Sequence, residues 1–595
     1  MARPSSMARS FLVCATLLAV VVAGPALSAQ NVEVEELILD NGMKFLLLPR
    51  YEEPNTVSVG WVAQVGSVNE RPGITGISHF FEHMMFKGTT TVGTRDPAAD
   101  QEFMDKQKAI KEKINELSWN GQYARYLAGE IDDPWDPAND TETLRTLRAE
   151  LKELMDAHKE HIVKNEFDSL YSAEGARGMN AFTSHDITFY FIDLPSNKLE
   201  MWAWMESDRL SDSVFREFYS ERDVVHEERR MRLESSPTGK LDEQFDAMFW
   251  QSSPYSWSVI GWPSDLNSYT REDFDAYFNV YYRPNNLVGV IVGDFDPREA
   301  RELAESYFGR IPRGETEPPP VVTLEMPQLA EKRIIGECEC QDQVEVRYHT
   351  APFMHADSYA LDVLAEILNG RTGRLYKGMV EGAEIAAGAR VRQDSRKYAG
   401  SFSFSARTKG DATPADLEAA WNAEVERLKS EPVSDYELQK VKNQVAADSY
   451  RQLQSNNFLR LQLGMFEAMR SWEYINEGPK RMQAVTAEDI QHVANTYFER
   501  TNSSVATYTR IAGSEAENEL LALLTPEMAE QAKMMLNQIN SQLASQPEQL
   551  KGVVQMLKGQ VSQAPEEARD MLRYVVSELE AQLAESGDAT DESEG

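Results

Sequence analysis

The sequence predicts an α+β fold built from two copies of one unit, with a helical insertion in the first copy and a helical tail after the second. Three observations predict it. Short apolar-alternating runs at strand spacing recur among helix-forming stretches. The same order begins again after a Pro-rich segment over residues 313–328. Two helix-forming stretches, at about 94–170 and beyond about 514, stand outside the repeated order. At 595 residues the chain exceeds one hydrophobic core, and a prior of ~150 residues per domain allows roughly four units.

The N-terminus reads as a secretory leader. Arg3 and Arg9 precede an apolar run from Phe11 to about Ala23, too short to span a membrane. Small residues at Ala26, Ser28 and Ala29 put cleavage after Ser28 or Ala29, so residues 1–29 are the expected signal peptide and the location is exported, periplasmic. No other apolar run approaches ~20 residues, so no membrane span is expected in the mature chain. A net charge of −36 excludes a nucleic-acid binder, which needs a basic footprint.

From about residue 32, VEVEELIL and MKFLLLPR read as strands joined at Asp40-Asn41-Gly42, where Asn-Gly is a strong hairpin signal. TVSVGWVAQVGS is a third strand by alternation. The 94–170 stretch holds two charged helices separated by DDPWDPAND, which reads as an inserted helical hairpin. Strand character returns in MNAFTSHDITFYFIDLP and helices follow in KLEMWAWMESDRL and SERDVVHEERRMRLE. NNLVGVIVGDFD is a buried strand. After the linker the order repeats, with RIIGECEC, QVEVRYHTAP, GSFSFSARTKG and SSVATYTRI as strands and DSYALDVLAEILNG among the helices. Cys338 and Cys340 fall at strand spacing, so both are expected on one face and unbridged, since so short a bridge is strained. The tail helices are amphipathic and need a partner, either the body or another chain. The final GDATDESEG reads as disordered by composition.

Chemistry concentrates in His79-Phe80-Phe81-Glu82-His83. Residues four apart share a helix face, so His79 and His83 can hold one metal ion. Glu82 sits beside them as a candidate general base for a zinc-activated water. The order H-x-x-E-H reverses the commoner H-E-x-x-H zinc helix. A surface helix with two solvated histidines satisfies the bare pattern. The Gly-rich approach and the apolar flank of Phe80, Phe81, Met84, Met85 and Phe86 favour the metal reading. His158 and His161 fall in the charged insertion and are expected to be solvated. His185, His226, His349, His355 and His492 lack ligand spacing.

GISHFFEHMMFKGT, NAFTSHDITFYF and ERDVVHEERR together resemble the pitrilysin/insulinase family of zinc metallopeptidases, nearest its bacterial members akin to the mitochondrial processing peptidase. The resemblance covers roughly residues 33 to 510 in outline. It implies two homologous α/β sandwich domains, each an antiparallel-rich sheet with helices packed on it, that form half of a clam-shell chamber. It places the catalytic domain at 30–312 and a non-catalytic one at 329–513. It implies one Zn2+ per chain, with His79, His83 and Glu228 as ligands, Glu221 as the carboxylate supporting them and Glu82 as the catalytic base. Helix geometry agrees, because seven residues at ~100° each bring Glu228 to within ~20° of Glu221. Asn180, Ala181, Phe182 and Thr183 match the family's strand bordering the cleft, where an extended peptide pairs by its backbone.

Two departures matter. The spacing from His83 to Glu228 is long, and the insertion accounts for it. Active members also use an Arg and a Tyr seven residues apart in a non-catalytic domain, and the matching positions here are Val380 and Ala387. Arg374, Tyr376 and Arg390 lie nearby at the wrong spacing. The resemblance therefore implies a peptide-bond hydrolase whose carbonyl-holding pair comes from a homologous non-catalytic partner subunit, a heterodimer rather than a homodimer. The alternatives are a non-proteolytic binding or assembly subunit that keeps the fold, and a membrane-associated scaffold acting through the tail.

Overall fold

The computed structural model describes residues 31–511, 524, 526–543, 550–561, 564 and 566–591. The expected leader and its cleavage site lie outside them. The chain divides into two compact units. The first runs to Gly336 and resumes over Gln341–Tyr508, and the second joins Glu337–Cys340 to the chain from Thr509.

Eleven strands among the described residues form two sheets. β1 (Glu35–Ile38), β2 (Lys44–Pro49), β3 (Thr56–Ala63), β4 (Arg177–Thr183), β5 (Thr188–Pro195) and β6 (Leu287–Gly293) lie in the order β1-β2-β6-β3-β5-β4. β7 (Lys332–Cys338), β8 (Gln343–Thr350), β9 (Ala386–Ser395), β10 (Gly400–Thr408) and β11 (Ser503–Arg510) lie in the order β7-β11-β8-β10-β9. Position by position the second order repeats β2-β6-β3-β5-β4, so the duplication expected from the sequence is a duplication of topology. The β1–β2 turn forms at Asn41-Gly42, where Gly42 takes the left-handed φ of 93° that an ordinary side chain resists.

Both faces of the first sheet are buried. On β2, Phe45 and Leu47 enter one core while Leu46 and Leu48 enter another, the period of two expected of a strand. The first core packs the sheet against its own helices. These include α1 (Ile77–Met84), α4 (Phe218–Arg229) and α5 (Arg271–Tyr281). Between α1 and α4 the insertion rises as α2 (Pro97–Leu117) and α3 (Glu142–Lys159). Its ends meet where Val163 N–H donates to the Gly93 carbonyl at 3.1 Å and Thr94 bridges Ile162, so the inserted length leaves the body's path almost unchanged.

The insertion corrects one expectation. His158 is buried, not solvated, with Nε2 2.8 Å from Asp100 Oδ1. Asp100 Oδ2 accepts from Arg216 Nε at 2.5 Å, and Arg216 also donates to the carbonyls of Lys87 and Val92 at 2.7 and 3.0 Å. A charged helix composition concealed this buried network, which ties the insertion to the chain on either side of it.

In the second half, α6 (Ala356–Leu368) occupies the place of α1 and carries no H-x-x-E-H. The opposite face of the first sheet is covered by α7 (Asn456–Met469), whose Leu459 and Leu463 pack on Leu46, Val62, Val288 and Val290. Residues assigned by sequence to the second domain thus complete the core of the first. The Pro-rich segment forms neither helix nor strand, yet it is fixed, because the Glu325 carboxylate accepts the N–H groups of Gln251, Ser252 and Ser253 at 2.9, 3.1 and 2.9 Å.

The second unit holds the tail helices. α8 (Pro526–Leu543), α9 (Leu550–Val561) and α10 (Glu566–Asp591) bury Ala532, Val554, Leu557, Val575 and Leu579 against one another. α10 runs into the acidic end that composition marks as disordered, since a nucleated helix adds a hydrogen bond with each further residue. Cys338 and Cys340 are bridged, contrary to expectation. The strand ends at Cys338 and the chain bends, so the two Cα atoms lie 5.2 Å apart, inside the range a disulfide spans. Among the described residues no helix is long and apolar enough to cross a membrane.

Candidate metal centre

α1 is amphipathic in a way that fixes its polar face. Phe80 packs edge-on against Phe218 of α4 at 5.0 Å, and Phe81 stacks on Phe274 of α5 at 3.5 Å. Each buried aromatic contributes about 1.5–3 kcal/mol. The opposite side of the same turn then presents His79, Glu82 and His83 to a cleft of about 910 Å³. The helix begins at Gly76, whose φ is 88° and whose missing Cβ would meet the Ile260 carbonyl oxygen at 2.4 Å. Gly76 has no side chain to cap the helix, so Glu70 does it. Its oxygens accept the N–H groups of Gly76 and Ser78, both at 2.8 Å. Burial pushes the Glu70 carboxyl up to about 8, against those two hydrogen bonds.

The structure brings His79, His83 and Glu228 together. Their ligand atoms lie within 4.8 Å of one another, the one such group of three metal-binding side chains found among the described residues. Glu228 Oε2 is 3.3 Å from His83 Nε2 and 3.6 Å from His79 Nε2. Ligands at ~2.0–2.1 Å around a tetrahedral ion stand about 3.3–3.4 Å apart. Glu228 Oε2 is also buried without a hydrogen-bond donor, an arrangement costly for a carboxylate unless a cation shares the space. The donor set of two imidazoles and a carboxylate, with room beside it for water, fits zinc.

Glu221 lies two helical turns before Glu228 on α4, on the same face. Its Oε1 is 2.9 Å from His83 Nδ1 and its Oε2 is 2.6 Å from Lys87 Nζ. A carboxylate only accepts, so His83 Nδ1 carries the proton and Nε2 keeps its lone pair for the metal. Burial raises the Glu221 carboxyl, but His83 and Lys87 outweigh it and hold the group at about 2. Burial opposes charge on His83, and Glu221, Glu228 and Glu82 more than offset that and raise it. His79, with no such partner on Nδ1, is lowered to about 3, first by burial and then by His83 and Arg232.

Glu82 stands apart from the three ligands. Burial lifts its carboxyl above the usual range, opposed by a 2.6 Å hydrogen bond from Thr183 Oγ1 and by the charge of His83. A raised carboxylate next to a water site suits a proton acceptor. Asn180, Ala181, Phe182 and Thr183 all line the cleft from β4, an edge strand of the first sheet, whose far side pairs with no strand among the described residues. Val380 and Ala387, the positions the resemblance matches to the Arg and Tyr, lie in the helical segment Tyr376–Gly382 and on β9, and Arg374 is committed elsewhere, to Glu437 at 2.7 Å and Glu424 at 3.1 Å.

Sequence reasoning missed Lys87, Glu70 and Arg232. Lys87 has a local signal, one helical turn beyond His83. Glu70 and Arg232 have none, because charged residues near a helix end are ordinarily solvated. The other histidines stay outside the centre. His349 stacks on Phe249 at 3.9 Å, and burial lowers it to about 4.

The chain is similar to known proteins. The profile described as Insulinase (Peptidase family M16) matches residues 46–102, which carry α1. That described as Peptidase M16 inactive domain matches residues 268–445, which carry α6. Zinc protease PqqE of Helicobacter pylori is 24% identical over 492 residues, 81% of this chain and 95% of that one. The crystal structure of a protease from Helicobacter pylori superposes with a TM-score of 0.65 at 23% identity, covering 80% of this chain and 99% of that one. That of the periplasmic protease PqqL from Escherichia coli gives a TM-score of 0.59 at 18% identity, covering 84% of this chain and 49% of that one. Two profiles of peptidase family M16, the pitrilysin/insulinase family, thus match this chain, and of its two sheets of one topology the first carries the H-x-x-E-H helix.

Proposed function

We propose that this chain is a zinc-dependent endopeptidase that hydrolyses peptides or unfolded polypeptides in an exported, periplasmic compartment, as the catalytic subunit of a heterodimer. The observation that carries the reading is the convergence of His79, His83 and Glu228 beside Glu82 in a cleft bordered by an open strand edge. The catalytic domain would span 30–312 and the non-catalytic domain 329–513, with α7 of the latter bracing the former. The leader-like N-terminus and the likeness to the periplasmic protease PqqL of Escherichia coli favour export.

His79, His83 and Glu228 would hold the zinc ion, which when bound supplies Lewis-acid activation of water and of the scissile carbonyl. The chain's own groups do the rest. β4 offers unpaired backbone groups to an extended substrate, with Asn180 to Thr183 along the cleft, which gives affinity without strict side-chain choice. Thr183 orients Glu82. Glu82 takes the proton of the attacking water and returns it to the leaving amine. Glu221 fixes the tautomer of His83. Val380 and Ala387 supply no hydrogen-bond donor from their side chains, which favours a homologous partner bringing an Arg and a Tyr.

The test is Glu82→Gln. It should keep one zinc per chain and lose hydrolysis of an unfolded casein or fluorogenic peptide by more than about 10²-fold. A variant with full turnover sinks the assignment. Size measurement with and without the product of a sibling gene lacking H-x-x-E-H tests the heterodimer, and two chains that never co-elute count against it.

A further inference from the structure

We propose that Arg232 is a further catalytic residue of this centre, whose guanidinium donates to the carbonyl oxygen of the peptide bond being cleaved. The inference rests on the peptidase reading above and names a donor from this chain that acts beside the partner's Arg and Tyr.

The run Glu228-Arg229-Arg230-Met231-Arg232 sends its three guanidiniums to three places. Arg229 is buried in the fold, bidentate to Glu243 at 2.7 and 2.7 Å and donating to the Gly261 carbonyl at 2.8 Å. Arg230, itself outside the cleft lining, is exposed and pairs with Glu227 at 2.7 Å. Arg232 turns into the cleft, where its Nη1 lies 2.8 Å from Glu228 Oε1. A π-type turn over Arg230–Glu234, closed by the Ser235 N–H to the Arg230 carbonyl at 2.8 Å, carries it there. Such turns often mark functional positions in helices.

Its side chain is 70% exposed, and Glu228 is its one ion-pair partner among the described residues. A guanidinium has five donors in a planar fork, so donors remain free toward the cleft. The chemistry of the lining makes that position matter. Glu82, Asp223, Glu227 and Glu228 line the cleft, and Arg232 is the sole lysine or arginine that does. A carbonyl oxygen gathering negative charge would otherwise face carboxylates. Glu228 holds the ligand cluster with one oxygen and Arg232 with the other, so the cation sits one carboxylate's width from the site of reaction. The stretch where the resemblance expects an Arg and a Tyr offers Val380 and Ala387.

The experiment compares Arg232→Ala, Arg232→Lys and Arg230→Ala in the zinc-loaded full chain together with its partner subunit. Arg230→Ala removes the same charge outside the cleft. For Arg232→Ala, zinc should stay at one per chain, kcat should fall about 10²-fold and KM should rise by no more than about 10-fold. Arg232→Lys should recover part of kcat, and Arg230→Ala should stay within about 2-fold of the parent. A second arm needs neither metal nor turnover. Metal-free Glu82→Gln protein should bind a terminally blocked, fluorescein-labelled extended peptide about 10-fold more weakly once Arg232→Ala is added. Wild-type kcat in Arg232→Ala overturns the proposal, as does a kcat loss that merely tracks zinc loss. If the zinc-loaded chain with its partner cleaves nothing, the peptidase reading fails. The peptide affinity then decides Arg232 alone, and an unchanged affinity overturns it.

Discussion

Removing the carboxylate of Glu221 should weaken zinc binding by about 10–100-fold. The magnitude follows from two contacts. Glu221 Oε1 is 2.9 Å from His83 Nδ1, a hydrogen bond with a charged partner, which contributes about 1.5–3 kcal/mol. That converts to roughly a factor of 10–100 in a dissociation constant, the usual effect of losing the group that orients a ligating histidine. The second contact adds to the first. Glu221 Oε2 is 2.6 Å from Lys87 Nζ, and without it Lys87 retains only Glu217 at 3.3 Å. An ammonium less well neutralised, one turn beyond His83, disfavours a divalent cation. Glu221→Gln keeps an acceptor oxygen for Nδ1–H and loses the charge, so its defect should fall between wild type and Glu221→Ala. The assay is competition for zinc against a chromogenic chelator after stripping with EDTA. Melting of the metal-free proteins separates loss of affinity from loss of fold. A zinc affinity for Glu221→Ala within 2-fold of wild type, with its fold intact, would refute the second ligand's dependence on this carboxylate.

Three further outcomes are expected. Thr183→Val deletes the 2.6 Å bond that orients Glu82 and should lower kcat about 10-fold with zinc content unchanged, measured by peptide turnover and metal analysis. Glu70 should make stability fall as pH rises. Its folded value of about 8 lies above the unfolded ~4.3, so the native state holds an extra proton between them. The stabilisation is complete below ~4.3 and is lost through about 8, at no more than about 1.4 kcal/mol per pH unit. Glu70→Gln should flatten that slope in urea unfolding at pH 5, 7 and 9, and an unchanged slope refutes it. Gly464→Ala should destabilise by about 1–3 kcal/mol despite alanine's better helix propensity, because its Cβ would fall 2.6 Å from the buried Phe189 ring where α7 crosses the first sheet. A higher denaturation midpoint would show that this interface yields.

Much of the centre was legible in the sequence because its geometry is local. The spacing of His79, Glu82 and His83 is one helical turn, and that of Glu221 and Glu228 is two, so periodicity alone sets which side chains share a face. The strands were legible for the same reason, since alternation over Lys44–Pro49 or Thr56–Ala63 needs no knowledge of what covers them. β9 was not, because its alternation is broken by small residues and exposed arginines.

What the sequence by itself determined is the identity and facing of the groups on each helix, and the order of elements in each copy. Tertiary structure decided which charges are solvated and which are used. The charged composition of the insertion marks His158 as a surface residue, and packing joins it with Asp100 and Arg216 in a buried network. The same packing sends α7 onto the sheet of the first half, because a sheet with apolar residues on both faces must find a second cover. It also distributes three neighbouring arginines to core, surface and cleft, a choice made by the partners each one meets across the fold and by nothing in the run itself.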